Sequence, residues 1–210
     1  MRWFVVALLL LLSATPALAQ VQPSEPLPLF VIDARGAFAL LKRDPVTATT
    51  LDISVEGLPT QGLGIAGGAH LYPLRRGGFA FGIGGELLLA RAGKQEFDEE
   101  DEPLGPEVRR QLQSLSAQLS FNFGHRLGWS YLTAGIGPAS FDTYVADTLP
   151  DGTKQMTQNF GFGARWFSTP HLAFTVDIRF YLTQPAVPTD VVGGRERKTL
   201  TVFSAGVSIK

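Results

Sequence analysis

Six ionisable residues fall one by one within otherwise apolar or small-residue stretches: Asp33, Glu86 and Asp177, and Arg35, Arg165 and Arg179. His70, Gln118 and Asn122 occur in similar surroundings. Three acids balance three guanidiniums, and a buried charge is tolerated only when paired and hydrogen-bonded. The chemistry on offer is therefore an internal ion-pair network, with Arg165–Asp177 and Arg179–Asp33 as the expected pairs, or a charged gate. Nucleophilic catalysis has one candidate, Ser168 beside His171, but Ser168-Thr169-Pro170-His171 reads more simply as a turn. The acidic run Glu96 to Glu102 offers clustered carboxylates to a divalent cation, or else is a solvated loop. Gly62 to Gly68 (GLGIAGG) is followed by neither Lys-Ser/Thr nor a helix, so a phosphate-binding loop is set aside. No catalytic, cofactor or metal site is assigned.

The elements that must position these residues alternate with period two, as a strand with two unlike faces does. From Asn159 to Leu182, Phe160, Phe162, Ala164 and Trp166, then Leu172, Phe174, Val176, Ile178, Phe180 and Leu182, take one face. Arg165, Asp177 and Arg179 fall on the other, and Ser168 to His171 join the two strands. The same pattern predicts strands at about 29–41, 62–72, 79–91, 112–123, 129–141 and 198–210. Pro138 is expected to break its ladder or mark a bulge. Four connections are expected to be long (42–61, 92–111, 142–157, 183–197), the first with an extra strand within Thr49 to Val55 and the second with a helical turn after Pro106. The connections between them are short, as in Pro73 to Gly78 and Gly124 to Gly128.

The chain opens with Met1-Arg2, an apolar run from Trp3 to Leu12 and Ala17-Leu18-Ala19, which together predict a cleaved signal peptide over residues 1–19. Residues 20–28, rich in Pro, are expected to be an extended lead-in, and 29–210 a single domain. The 210 residues hold no Cys, so no disulfide supports the exported product, and the net charge of −1 gives no support to a nucleic-acid partner. Export, abundant Gly and alternation point to a bacterial envelope.

Antiparallel neighbours in sequence order, eight in number, close most simply into an up-and-down barrel, which leaves no open edge. Such a barrel has interior room only for side chains or one small ligand. The bulky face would overfill that space, so it is assigned to lipid and the Gly, Ala, Ser and charged face to the lumen. Trp129, Trp166, Phe167, Tyr72 and Phe79 near the short turns, and Phe141, Tyr144 and Tyr181 near the long ones, are expected to form interfacial girdles.

The segments Tyr131 to Gly137 (YLTAGIG), Phe160 to Tyr181 and Phe203 to Lys210 (FSAGVSIK) resemble the small outer-membrane β-barrel superfamily, which includes the outer-membrane protein A-type transmembrane domain. The resemblance spans the chain from Leu29 onward. It implies an all-β, eight-stranded antiparallel transmembrane barrel with short turns in the periplasm and long loops outside. It also implies contact with outer-membrane lipid and lipopolysaccharide, insertion by the barrel assembly machinery, a monomer, and no cofactor. Members usually end in an aromatic residue where this chain has Lys210, and no periplasmic peptidoglycan-binding domain is expected after strand eight. The expected role is non-enzymatic: a plugged barrel that stabilises the envelope or presents its loops. A narrow channel, a soluble lipocalin-like ligand-binding barrel and an outer-membrane lipid-modifying enzyme are the alternatives.

Overall fold

The computed structural model describes residues 27–125, 127–146, 151–184 and 197–210. The signal peptide, the lead-in up to residue 26, residues 147–150 of the third connection and most of the fourth connection lie outside the described residues. Eight antiparallel strands form one closed barrel in sequence order. They are β1 (Phe30–Leu40), β2 (Gln61–Arg76), β3 (Phe79–Lys94), β4 (Val108–His125), β5 (Gly128–Val145), β6 (Asp151–Phe167), β7 (Leu172–Leu182) and β8 (Thr199–Ile209).

Pairing partners followed around the wall from Phe30 pass through Leu71, Ile83, Leu119, Ala134, Phe160, Phe180 and Thr201 and return to β1 at Leu40. The wall therefore closes with a stagger of about ten residues, which for eight strands tilts each by roughly 40° to the axis. At that tilt an eleven-residue strand such as β1 climbs roughly 28 Å, close to a hydrocarbon core. The alternation holds throughout: Ile65, Leu119, Ile136, Phe162 and Phe174 point out and are exposed, while Asp33, Arg35, Gln118, Arg165 and Arg179 point in and are buried.

Several boundaries differ from expectation. β2 runs through Pro73 to Arg76, with its register shifting between Leu71 and Leu74, and the turn shrinks to Gly77-Gly78. Gly77 has φ +54°, the left-handed conformation that a tight hairpin demands. β5 and β6 replace most of the expected third loop: their ladder continues through Gly137–Thr157 to Thr143–Asp151. Pro138 stays in β5, paired with Met156, and the β4–β5 register is the same on both sides of it. It faces outward, so its missing N–H interrupts the β4–β5 ladder without shifting it.

No extra strand occupies Thr49 to Val55. Instead a short helix, α1 (Pro45–Thr50), starts where Pro45 pre-sets a helical φ, and it buries Thr47 and Ala48. Of the expected strand, Thr49 and Thr50 end the helix and Leu51 to Val55 follow it as irregular chain, with Ile53 and Val55 packed against Leu58 and Val108 rather than alternating. After Pro106 there is no helical turn, because β4 begins at Val108. Residues 95–107 make an irregular loop tied by a bridge between Phe97 and Pro103.

The interior is stacked in layers. At the short-turn end Leu27, Val31, Tyr72, Ala80 and Trp129 pack together with Phe167. Leu27 belongs to this layer rather than to an unstructured lead-in, and its carbonyl accepts a hydrogen bond from Arg75. A larger apolar layer toward the loops contains Ala39, Leu41, Leu88, Leu112, Tyr181, Leu200 and Val202, with Phe141 against it. Above it, α1 and Leu58 pack on Val108, Ile53, Val55 and Val145. Five of the aromatics assigned to girdles are thereby corrected: Tyr72 and Trp129 are 1% and 3% exposed inside the barrel, Tyr181 and Phe141 pack at the upper layer, and Phe167 packs at the lower one. Phe167 is likewise packed inside, on Trp129 at 4.7 Å between ring centres. Their strand parity is that of the lumen face, and it outweighs the preference of aromatic rings for an interface. Outside, Phe79 stacks on Phe121 at 6.0 Å and Trp166 on Phe174 at 6.2 Å near the short turns.

Candidate functional site

Between the two apolar layers lies a polar belt that contains all six lumenal charges. In its upper half Arg35 on β1 reaches Glu86 on β3, and places Nη1 3.1 Å from Asp177 Oδ1 on β7. Arg179 completes the circuit, with Nη1 2.8 Å from Glu86 Oε1 and Nη2 3.3 Å from Asp177 Oδ2. Two acids and two guanidiniums thus alternate in a closed ring, each touching both opposite charges. Tyr131 and Tyr181 donate hydroxyl hydrogen bonds to it, to Asp177 Oδ2 at 3.0 Å and Glu86 Oε1 at 3.2 Å.

The lower half is built on Arg165, which spans the lumen from β6 to β1. Its Nη2 lies 2.8 Å from Asp33 Oδ2, and its Nε donates to Asp33 Oδ1 at 3.2 Å. This side-on, two-point geometry is the strong form of an arginine–carboxylate contact. Ser208 links Arg165, Asp33 and Thr175. The Arg165 guanidinium also lies 4.1 Å from the centre of the Tyr131 ring, so Tyr131 joins the two halves. His70 sits beside Asp33, Nδ1 to Oδ2 at 4.0 Å, and stacks on Tyr72. Gln118 donates to Ser116 at 2.6 Å and to Asn159 at 2.9 Å. Asn122 donates to Ser120 at 2.8 Å and stays apart from the charges.

The expected pairs are exchanged: Arg165 takes Asp33, and Arg179 takes Glu86 and Asp177. In the β6–β7 ladder Arg165 lies opposite Thr175 while Asp177 lies opposite Gly163, so adjacency along the sheet does not bring Arg165 to Asp177. Across a narrow lumen the long guanidinium meets the far wall instead. Tyr131, Tyr181, Ser204, Ser208, Thr175 and Asn159 complete the network and were not assigned to it from sequence, Tyr181 having been placed in a girdle. Their one legible signal is parity, which places each on the lumen face.

Glycines make room for these rings. A Cβ on Gly84 would lie 2.6 Å from the His70 ring, and one on Gly163 would strike the hydroxyl end of Tyr131. Gly163→Val is expected to push Tyr131 off Asp177 and lower stability by about 1–3 kcal/mol, read as a lower urea midpoint for refolding into vesicles.

The remaining chemical candidates resolve into local structure. Ser168 Oγ donates to the carbonyl of Leu172 at 3.2 Å, and His171 Nδ1 lies 3.2 Å from the carbonyl of Lys210, so the two serve the turn and the chain end. In the acidic run, Asp98 Oδ1 accepts the backbone N–H of Glu100 and Glu102, as in a turn. Gly62 to Gly68 lies within β2. Gly64 packs close against Ala90, where a Cβ would lie 2.6 Å from the Ala90 Cα.

No protein-family model matches the chain, and no curated protein sequence matches it. Among solved structures, the Neisserial surface protein A (NspA) superposes with a TM-score of 0.52 at 12% identity, over 87% of this chain and 97% of that one. Ail, the attachment invasion locus protein of Yersinia pestis, follows at 0.49 and 13%, over 86% and 96%. The N-terminal β-barrel domain of Pseudomonas aeruginosa OprF gives 0.47 and 12%, over 88% and 98%. Closed eight-stranded topology and the likeness to NspA agree on one fold: this chain is a small, closed, eight-stranded antiparallel β-barrel, the fold it shares with NspA.

Proposed function

We propose that this protein is a non-enzymatic barrel of the bacterial outer membrane whose lumen is a plug and whose work is done by its outer wall and its loops. The carrying observation is the layered interior: a charge-balanced ring held between an apolar layer at each end. A ring in which each guanidinium touches both carboxylates leaves little charge free to draw an ion through, and Leu88, Leu112 and Leu200 on one side and Tyr72 and Trp129 on the other narrow the route. The short connections between β2 and β3, β4 and β5, and β6 and β7 then face the periplasm, and α1, the acidic loop and the far ends of β5 and β6 face outward. Outer-membrane lipid and lipopolysaccharide are the proposed surroundings, with insertion by the barrel assembly machinery as a monomer.

Purified protein in a planar bilayer is expected to give no steady conductance above the lipid background. Ion-selective steps that change when Arg35 or Arg179 is replaced would instead establish the narrow channel. Fractionation gives the prior test: the protein is expected in the detergent-dependent membrane fraction, migrating differently on a gel before and after boiling.

A further inference from the structure

Outward residues on β4, β5 and β6 form a graded column. The highest of the rows considered is polar, with Gln113 paired to Ser140 and Ser140 to Lys154. Two residues lower Leu115, Pro138 and Met156 follow, then Ala117, Ile136 and Gln158, then Leu119, Ala134 and Phe160. The small side chains of Ala117 and Ala134 leave a groove of about 750 Å³, walled by Leu119, Ile136, Gln158 and Phe160. Comparable depressions elsewhere on the wall, beside Ile65 and Leu87 and beside Leu132 and Phe162, are smaller at about 460 and 430 Å³. This volume is in the range of small-molecule sites, roughly 300–1,000 Å³.

Two polar side chains distinguish the groove from bare hydrophobic wall. Gln158 is exposed on the outer face between Ile136 and Leu182, where an amide facing hydrocarbon costs free energy unless it finds a partner. Lys154 is exposed on the same face of β6, four residues toward the loops. At about 3.3 Å per residue and roughly 40° of tilt it stands about 10 Å higher, the place of a lipid headgroup when the groove holds the chain. Apolar slot and cation thus follow one another in the order of acyl chain and anionic headgroup.

We propose that this groove binds one anionic membrane lipid from the leaflet on the loop side, its acyl chain lying over Ala117 and Ala134 beside Gln158 and its headgroup on Lys154. The inference rests on the outer-membrane reading above. Ser140 supports the headgroup end, though its hydroxyl already donates to Asp142, so the cation is the recognising group.

The test is native mass spectrometry of the folded protein in detergent with added phosphatidylglycerol or phosphatidylcholine. Wild type is expected to retain one phosphatidylglycerol, preferred by about tenfold over phosphatidylcholine. Lys154→Glu is expected to abolish that preference, and Ala134→Phe to fill the groove and remove the retained lipid of either kind. A heat-modifiable barrel that retains no lipid, or that retains both lipids equally, overturns the groove alone. So does an Ala134→Phe variant that keeps its lipid. A protein with no heat-modifiable, detergent-dependent form overturns the outer-membrane reading, and the groove falls with it.

Discussion

Arg165→Met is expected to destabilise the barrel by about 3–5 kcal/mol, because it strands the Asp33 carboxylate in the lumen with only Ser208 and a 4.0 Å approach from His70. Met has similar length and no charge, so the loss reports the uncompensated acid more than lost packing. Asp33→Asn alone is expected to cost a similar amount by orphaning the guanidinium, which is 2% exposed. The double variant is then expected to cost clearly less than the sum, since neither charge is left alone. Arg165→Met combined with Glu86→Gln serves as the control: these two residues belong to different halves of the belt and share no direct contact, so their effects are expected to be closer to additive. The measurement is the urea midpoint for reversible folding into lipid vesicles, converted to free energy with the slope held common. Additive losses for Arg165 and Asp33 would refute the pairing as an energetic unit.

A second large effect concerns the outer wall. Along β4, Leu115, Leu119 and Phe123 face outward at successive heights, with Gln113 and Gln111 beyond them toward the loops. Single replacements by Arg are expected to trace a depth profile, costing about 2–4 kcal/mol at Leu119 and near zero at Gln111. In a bilayer the penalty arises because a guanidinium has no partner in hydrocarbon and must snorkel to the interface. A soluble barrel would show no such profile, since Arg at an outward position meets water at every height. A flat profile for folding into vesicles would therefore overturn membrane insertion while leaving the barrel topology intact.

Much of this architecture could be read from residue types. The alternation along Phe160 to Leu182 placed Phe162 and Phe174 on one face and Arg165, Asp177 and Arg179 on the other, and the structure has the same division. Where reading by residue type went astray, it set chemical habit against parity. Tyr72 shares the face of His70, and Tyr181 that of Arg179, yet their rings suggested an interface. Inside the barrel these rings fill space opposite glycine: Tyr72 over Gly82, Tyr131 over Gly163. The extension of β6 into the third connection was obscured because Asp151 and Gly152 are turn formers by type, although both lie in β6.

The residue types by themselves determined the strands, their two faces, their order and the charge balance of the lumen, because side chains alternate strictly across a strand whatever its neighbours do. They could not determine which charges meet. That depends on the height at which each inward residue sits, which follows from the stagger of the closed wall and from how far an arginine reaches across the lumen. Only closure joined Arg165 to Asp33 from walls that are not adjacent, and only closure gathered Arg35, Glu86, Arg179 and Asp177 into one ring. On the outside, the registers of the adjacent pairs β4–β5 and β5–β6 likewise set Ala117, Ala134 and Gln158, from three strands, below Lys154.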